Sequence, residues 1–316
     1  LIGKVEKNQP KVKFLMLLIT TFLWIGIFLH LFPIWWMFIS AMQPVLPEEI
    51  FTFPPRLWPR YPAPLVYGLA YYFMGRGIMG TQIFIYFKNS LIITAGIMLI
   101  QIPTSALIAY SVSKLLESRW AHFVFLLCVG TLMIPSTVSL IPRFLLMRHF
   151  PFPTTTIPKI PFTNKPFPSI NFLNSYWAVI LPFSYNAFNF LLFKGYFDGI
   201  SNEVIHAARL DGASELTIFR KVVLPLSRPV FAVVAYFSFC QAWNEFMWPL
   251  IVLQKHKLWP MSLFLYNLQQ SAFSGPSMGG VSDVMTFSII ESAPIFIIFL
   301  LLREELMKGI KIRGLR

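Results

Sequence analysis

Hydrophobic residues along the chain gather in six long segments, and most charged residues lie between them. The first segment, Phe14–Ser40, contains no Asp, Glu, Lys or Arg. A helix needs about 20 apolar residues to cross a bilayer, so each segment is predicted to span a membrane once. The other five segments cover residues 89–113, 121–146, 175–197, 222–253 and 284–302. The pattern predicts an all-α, polytopic membrane protein with six transmembrane helices.

The distribution of basic residues predicts how these helices are oriented. With six spans both ends of the chain lie on one side, which carries 16 of the 26 Lys and Arg residues against nine on the other; Lys88, at the start of the second span, is counted on neither side. Because loops rich in Lys and Arg stay in the cytoplasm, the ends, residues 1–13 and 303–316, are predicted to be cytoplasmic. The transmembrane domain then covers residues 14–310. Its connecting segments are the outer loops 41–88, 148–174 and 254–283 and the cytoplasmic loop 198–221.

Composition narrows the class of protein further. Charged residues make up 12% of the 316 residues and hydrophobic residues 56%, whereas a soluble domain usually carries about 25% charged residues. A water-soluble globule and a disordered chain are therefore excluded. The net charge of +13 does not indicate a nucleic-acid partner, because the basic residues lie in short clusters between apolar segments, as in polytopic membrane proteins.

The sequence of the cytoplasmic loop predicts two short helices on the membrane surface. Ser201 is a good N-cap, and Glu203 lies in the first turn, where it opposes the helix dipole. Gly212 follows the first helix, at the position where a left-handed residue often ends a helix. Ser214 can cap a second helix, and Pro225 marks the turn into the fifth span. The first helix is predicted to present a small-residue face to another protein, formed by Val204, Ala207 and Ala208.

This loop resembles a motif of permease subunits of binding-protein-dependent ABC importers. The family's motif is E-A-A, three residues, G, nine residues, and I-x-L-P. Here Ala207-Ala208 are followed at the same spacing by Gly212 and by residues 222–225, which read V-V-L-P. Residues 194–197, 211–213 and 242–246 are similar to the carbohydrate, maltose-permease-like branch, and the resemblance extends over residues 85–310.

One position of the motif departs from the family. His206 stands where the family usually has Glu, and a neutral imidazole cannot make the same charge-assisted bond to a partner. Either Glu203, one turn earlier, replaces that carboxylate, or the contact is weaker. The alternative is that His206 is a solvated helix residue without a role in docking.

The resemblance implies a type I ABC importer permease in the plasma (inner) membrane of a prokaryote. The chain would form half of the path for a sugar or oligosaccharide. Its partners would be a homologous second permease, two ATPase subunits and an extracytoplasmic solute-binding protein. ATP and Mg would bind to the ATPase subunits, and this chain would carry no cofactor, metal or catalytic residue. The residues predicted to couple to the ATPase are Glu203, His206, Ala207, Ala208, Asp211 and Gly212.

Two glycine patterns bear on nucleotide binding. Residues 75–80 match G-x-G-x-x-G, but they lie in a predicted outer loop with no strand before them. The chain contains no G-x-x-x-x-G-K-[ST] phosphate loop. Neither observation favours a nucleotide site.

Acidic residues at membrane depth are candidates for the substrate path, because charge is costly there. Glu245 lies in the cluster Trp243-Asn244-Glu245, where it can bind a sugar hydroxyl or pair with Arg143 to hold two helices together. Glu291 precedes Pro294 at an expected break in the sixth span and is predicted to face the bundle interior or a wet cavity.

The last outer loop is a candidate contact for the solute-binding protein. Ser274, Gly275 and Pro276 lie in a Gly- and Pro-containing turn, which favours a projecting loop. In the maltose-type permeases the equivalent loop enters the cleft of the binding protein, so the resemblance implies the same role here. A plain connection between two helices is the alternative.

Two other classes of function compete with an ABC permease. A stand-alone secondary transporter or channel for a small polar solute commonly shows an internal repeat and several midplane charges, and neither is evident in this sequence. A membrane-embedded enzyme needs clustered His, Asp or Glu, and the five His are scattered.

Overall fold

The computed structural model describes residues 10–42, 58, 83–151, 169–274 and 281–311. The secondary structure in these ranges is helical, apart from one isolated antiparallel bridge between Phe150 and Ile170. The predicted all-α class is therefore confirmed. Three helices are long and apolar enough to cross a membrane, or up to five if each sharply bent pair is one span. The count of six spans stays a prediction.

The helices are numbered here in chain order. The first half of the described chain contains α1 (Pro10–Ala41), α2 (Ile83–Tyr110), α3 (Ser118–Gly130), α4 (Leu140–Arg148), α5 (Tyr176–Ile180) and α6 (Ala187–Phe197). The second half contains α7 (Asn202–Leu210), α8 (Glu215–Ile218), α9 (Leu224–Leu226), α10 (Arg228–Trp243), α11 (Met247–Val252), α12 (Met261–Ser274) and α13 (Val281–Lys311). Two π-helical turns extend this set, because Ser111–Leu115 continues α2 and Phe219–Val223 joins α8 to α9.

The chain divides into two compact units. The first contains α1, Trp58, residues 267–274 of α12 and residues 281–290 of α13. Most side chains of α1 are apolar and exposed, as expected for a helix whose surroundings are lipid. Trp35 packs edge-to-face on Trp58 at 5.6 Å.

The second unit contains α2 to α11, together with residues 261–266 of α12 and 291–311 of α13. Its centre is α2, which packs along α6 and α10. Phe190, Phe193 and Phe197 of α6 are fully buried there, and ring contacts join Phe193 to Phe197 and Phe125 to Phe190. The large aromatic count of the sequence thus serves internal packing as well as the lipid surface.

The predicted third span, residues 121–146, is not one continuous helix. The helix ends in a 3₁₀ turn at Met133, residues 134–139 are non-helical, and α4 begins at Leu140. Ile134 is extended, with φ −87° and ψ 114°. The cause is Pro135, because the residue before a proline is disfavoured in the helical region.

The predicted fifth span, residues 222–253, is also wrong in its bounds. Residues 222–226 belong to the preceding surface helix, which meets α10 at 84°, and α10 begins only at Arg228. The helix breaks again at residues 244–246 before α11. Pro249 accounts for this second break, because its ring would clash with the carbonyl of Glu245 in a continuous helix.

The expected break in the sixth span is wrong as well. Helix α13 runs unbroken through Pro294. Transmembrane helices tolerate an interior proline where neighbouring groups satisfy the freed carbonyl.

Candidate functional site

Helix α7 forms as its sequence predicts, with a cap at each end. The side chain of Ser201 accepts a hydrogen bond from the Glu203 amide at 3.2 Å. At the other end Gly212 has φ +79°, its amide donates to the Arg209 carbonyl at 3.0 Å, and Ala213 donates to the Ala208 carbonyl at 3.1 Å. This pair of bonds is a Schellman cap. The predicted left-handed glycine is confirmed.

One side chain of α7 anchors it to the helix bundle. Ile205 is buried in a cluster that also contains Ile218 and Phe219 from the following segment. The cluster continues into α2 and α6, where Tyr110 and Phe197 belong to it. The two short helices of the loop are therefore packed onto the second unit, and the loop has a buried and an exposed side.

The exposed side carries most of the predicted coupling residues. Glu203, His206, Ala207, Asp211 and Gly212 are exposed, and Ala208 is half-buried. In the described part of the chain the side chains of Glu203, His206 and Asp211 make no ion pair. Of the three residues of the predicted small-residue face, Val204 and Ala207 are exposed; contact of this face with another protein stays a prediction.

A polar network fixes the loop to the end of α2. The Arg209 Nε donates to a Glu215 carboxylate oxygen at 2.6 Å, and the Tyr110 hydroxyl donates to the other at 2.8 Å. Arg209 also donates to the Lys114 carbonyl at 3.2 Å. Lys114 donates in turn to the Ile200 carbonyl at 2.7 Å and to Asn202 at 2.8 Å. Apart from the bond between Arg209 and Glu215, these bonds join the loop to residues 86 to 105 positions earlier in the chain.

The same network shifts the pKa values of two charged residues in the loop. The hydrogen bond from Arg209, and after it the bond from Tyr110, lowers the pKa of Glu215. The hydrogen bond to Glu215 raises the pKa of the Arg209 guanidinium. Both groups are therefore charged at neutral pH, and they form an ion pair with each other within the chain. Sequence reasoning did not identify this pair, although the two opposite charges six residues apart were a visible signal.

Two exposed leucines extend the outer side of the loop. Leu210, the last residue of α7, is 88% exposed and Leu216 is 61% exposed. A leucine on a polar surface helix loses hydrophobic free energy unless another surface covers it. Sequence reasoning missed both residues. The signal in the sequence was a leucine at a position outside the buried face of its helix.

The predicted substrate-path residues separate into inward and outward groups. Trp243 is only 1% exposed, and its indole donates to the Glu291 carbonyl at 2.9 Å. Glu291 is buried, and no hydrogen bond or ion pair of its carboxylate is found within the described residues. Asn244 is exposed and donates to the Cys240 carbonyl at 2.8 Å.

The side chain of Glu245 has a structural contact. It accepts a hydrogen bond from the Trp248 amide at 2.9 Å, at the start of α11. Arg143 lies over the Trp248 ring at 5.4 Å and over Phe183 at 5.6 Å. No direct ion pair between Arg143 and Glu245 is present in the described ranges. Glu245 therefore binds the first turn of α11, and the Arg143 guanidinium packs on aromatic rings.

The predicted contact for the solute-binding protein lies mostly beyond what the structure describes. Ser274 is the last residue of α12. Gly275 and Pro276 lie outside the described residues, as does the glycine pattern of residues 75–80.

The chain is similar to permeases of known transport systems. No family model matches it. It is 29% identical to the probable ABC transporter permease protein YurM of Bacillus subtilis, over 96% of this chain and 90% of the relative. It is 27% identical to the arabinooligosaccharides transport system permease protein AraQ of Halalkalibacterium halodurans, over 73% and 74%. It is 25% identical to the sn-glycerol-3-phosphate transport system permease protein UgpE of Salmonella typhi, over 92% and 94%.

A solved structure has the same fold. A chain of a bacterial ABC transporter involved in the import of the acidic polysaccharide alginate superposes with a TM-score of 0.70, at 18% identity, over 95% of this chain and 99% of that chain. The resemblance to ABC importer permeases that the loop predicted is confirmed by these relatives, which are named as permease proteins.

Proposed function

We propose that this chain is the transmembrane permease subunit of an ABC importer and forms half of the path for a sugar or oligosaccharide. The observation that carries the proposal is the loop of residues 201–226. Its inner side is packed and hydrogen-bonded to the bundle, and its outer side presents exposed small and apolar residues. This is the construction that a coupling helix needs, because it must dock on another protein and transmit a displacement.

The network at the end of α2 explains how such a displacement would reach the membrane helices. The bonds of Arg209, Glu215 and Tyr110 and the packing of Ile205 leave the loop little freedom to move alone. Closure of two ATPase subunits on ATP and Mg would therefore move the loop together with α2 and α6 as a rigid body. The sharp bend at Ser227 lets α10 leave the loop at a steep angle.

The partner set follows from the same proposal. A second permease of the same kind completes the path, two ATPase subunits bind the cytoplasmic loops, and an extracytoplasmic solute-binding protein delivers the solute. The 16-to-9 distribution of Lys and Arg supports cytoplasmic termini in the plasma membrane of a prokaryote. Reporter fusions after residues 160 and 316 should report opposite sides of the membrane. Reports from the same side would contradict the six-span topology.

Carbohydrate is the proposed class of substrate because several relatives are named for it. They include permeases for arabinooligosaccharides and for maltodextrin. The relative named for sn-glycerol-3-phosphate shows that a smaller phosphate ester is within reach of the family.

Purification of the assembled complex tests the proposal. The full chain, tagged at its C-terminus, is purified from membranes of its source organism in mild detergent, and co-purifying proteins are identified by mass spectrometry. We expect an ATPase with a G-x-x-x-x-G-K-[ST] phosphate loop in near-stoichiometric amount. The matched control is Leu210→Asp, which places a charge on the exposed docking side and should lose the ATPase. A wild-type chain that purifies without any ATPase would contradict the proposal.

A further inference from the structure

Two helix breaks of the second unit bring side-chain amides together on its surface. Residues 184–186 interrupt the fourth predicted span, and residues 244–246 interrupt the fifth. The Asn186 amide donates to the Gln241 side-chain oxygen at 2.8 Å, although the two residues are 55 positions apart. Gln241 and Asn244 are both exposed and lie one turn apart on α10 and its end.

Aromatic rings continue this surface. Phe188 follows Asn186 in α6 and is 47% exposed, and Phe237, one turn before Gln241, is 45% exposed. Their rings meet edge-to-face at 5.7 Å. The five residues Asn186, Phe188, Phe237, Gln241 and Asn244 are called the amide–aromatic surface below.

Buried polar residues hold this surface in place. Directly behind it the Asn189 side chain donates to Ser238 at 2.8 Å and to Gln101 at 3.2 Å. All three are buried and come from α6, α10 and α2. The Asn186 side chain also accepts from the Asn189 amide at 3.0 Å. A satisfied buried network of this kind fixes the geometry of the helices that carry the exposed amides.

The amide–aromatic surface is not expected to face lipid. Non-helical backbone at membrane depth occurs where it is buried in protein or lines water, and not where it faces lipid. The Gln241 side-chain nitrogen has no hydrogen-bond partner within the described ranges, and an unpaired amide in hydrocarbon is costly. The surface therefore faces either an aqueous path or another protein.

The chemistry of the surface matches an uncharged polyhydroxy solute. Side-chain amides both donate and accept hydrogen bonds, and aromatic rings offer flat apolar faces. No Lys or Arg occurs in residues 182–193 or 229–246, so these segments offer no cationic side chain to a carboxylate or a phosphate. The one acidic residue there, Glu245, accepts a hydrogen bond from the Trp248 amide.

We propose that the amide–aromatic surface lines the translocation path and contacts an uncharged carbohydrate as it passes. This proposal rests on the permease function proposed above and makes it more specific. It selects a neutral carbohydrate over the anionic solutes that some relatives are named for. Of the predicted substrate-path residues it keeps Asn244, and it adds Asn186, Phe188, Phe237 and Gln241 in place of Trp243 and Glu245.

Thiol labelling tests whether the surface lines water. In the complete complex, with Cys128 and Cys240 replaced by Ala, single cysteines are introduced as Gln241→Cys and Asn244→Cys. A charged, membrane-impermeant methanethiosulfonate should label both at least about tenfold faster than Phe296→Cys, an exposed residue of α13 that we place in lipid. Equal, slow labelling at all three positions would show that lipid or a protein partner covers the surface and would overturn the proposal.

Protection from labelling tests the class of solute. Maltotriose and arabinotriose serve as neutral probes, and trigalacturonate and sn-glycerol-3-phosphate serve as anionic probes, each added with the solute-binding protein. A neutral probe should slow labelling of Gln241→Cys by about fivefold at a concentration of about four times its Kd, because bound solute covers the thiol. Protection by the anionic probes alone, or by no probe, would overturn the assignment.

One control separates this proposal from the permease function. The cysteine-free parent must still purify with its ATPase and hydrolyse ATP in response to the binding protein. If the parent passes and Gln241→Cys is not labelled, the surface assignment fails and the permease function stands. If the wild-type chain purifies with no ATPase while Gln241→Cys is labelled, the permease function fails and the water-lined surface stands.

Discussion

Gly212 offers the sharpest test of the loop, because the structure separates the two ways in which a substitution there could act. Its φ of +79° is a left-handed conformation, and a Cβ atom built on it would meet no other atom within 4 Å. A side chain at this position therefore causes backbone strain and no clash within the chain. Any steric effect must come from a partner that docks on the loop.

The size of the strain follows from the conformation. A residue other than glycine pays about 1–2 kcal/mol to adopt the left-handed region. Relief of that strain would break the two cap bonds at 3.0 and 3.1 Å that end α7. A change of this size shifts the population of the intact loop by a factor of about 5–30. The bundle itself should be unaffected, because Gly212 is exposed and makes no core contact.

The assay is ATP hydrolysis stimulated by the binding protein in reconstituted membranes. We expect Gly212→Val to reach normal membrane levels, to retain the ATPase subunit poorly, and to lose stimulated hydrolysis by at least about tenfold from strain and docking clash together. Gly212→Asn should lie between this variant and the wild type, because asparagine tolerates the left-handed region. The matched control is Gly26→Ala, which also places a Cβ in open space but inside helix α1.

The outcomes distinguish strain from docking. A deficit in Gly212→Val that Gly212→Asn repairs would show that the conformation matters, and an equal deficit in both would show that the partner needs the open space. Wild-type stimulation by Gly212→Val would refute the assignment of this loop as the coupling element.

Three further predictions concern the loop. Tyr110→Phe removes the hydroxyl that donates to Glu215 at 2.8 Å, and it should lower the stability of the purified subunit by about 1 kcal/mol, read as a lower Tm than that of the wild type. The pKa of Glu215 is lowered in the folded chain by Arg209. The carboxylate therefore contributes to folding stability above the unfolded pKa of about 4.3, and this contribution is lost as the pH falls from there through the lower folded pKa. The Tm difference between wild type and Glu215→Gln should shrink between pH 6 and pH 3, and a constant difference would exclude the ion pair. His206→Glu should leave stimulated hydrolysis unchanged or raise it, because it restores the carboxylate of the family's motif at an exposed position; a loss of more than about threefold would show that this chain's partner has adapted to histidine.

Local features of the loop were predictable because their causes lie within a few residues. A serine before a helix, a glycine after it and the apolar runs of the spans act through neighbouring backbone atoms and through helical periodicity. Ser201, Ser214 and Gly212 therefore have the roles that the sequence predicted. Helix bounds were less predictable, because Pro135 and Pro249 broke their helices and Pro294 did not. What surrounds a proline in the folded bundle decides that difference.

Contacts between distant residues were decided by the tertiary structure alone. The sequence placed Trp243, Asn244 and Glu245 side by side, and the tertiary structure buries the first and exposes the second. Asn186 and Gln241 gave no signal of their own, since their pairing depends on how α6 and α10 pack against α2. Hydrophobic periodicity determines which segments become membrane helices. It does not determine the rotation of each helix about its axis, because packing with the other helices sets that rotation and with it the side chains that face the path.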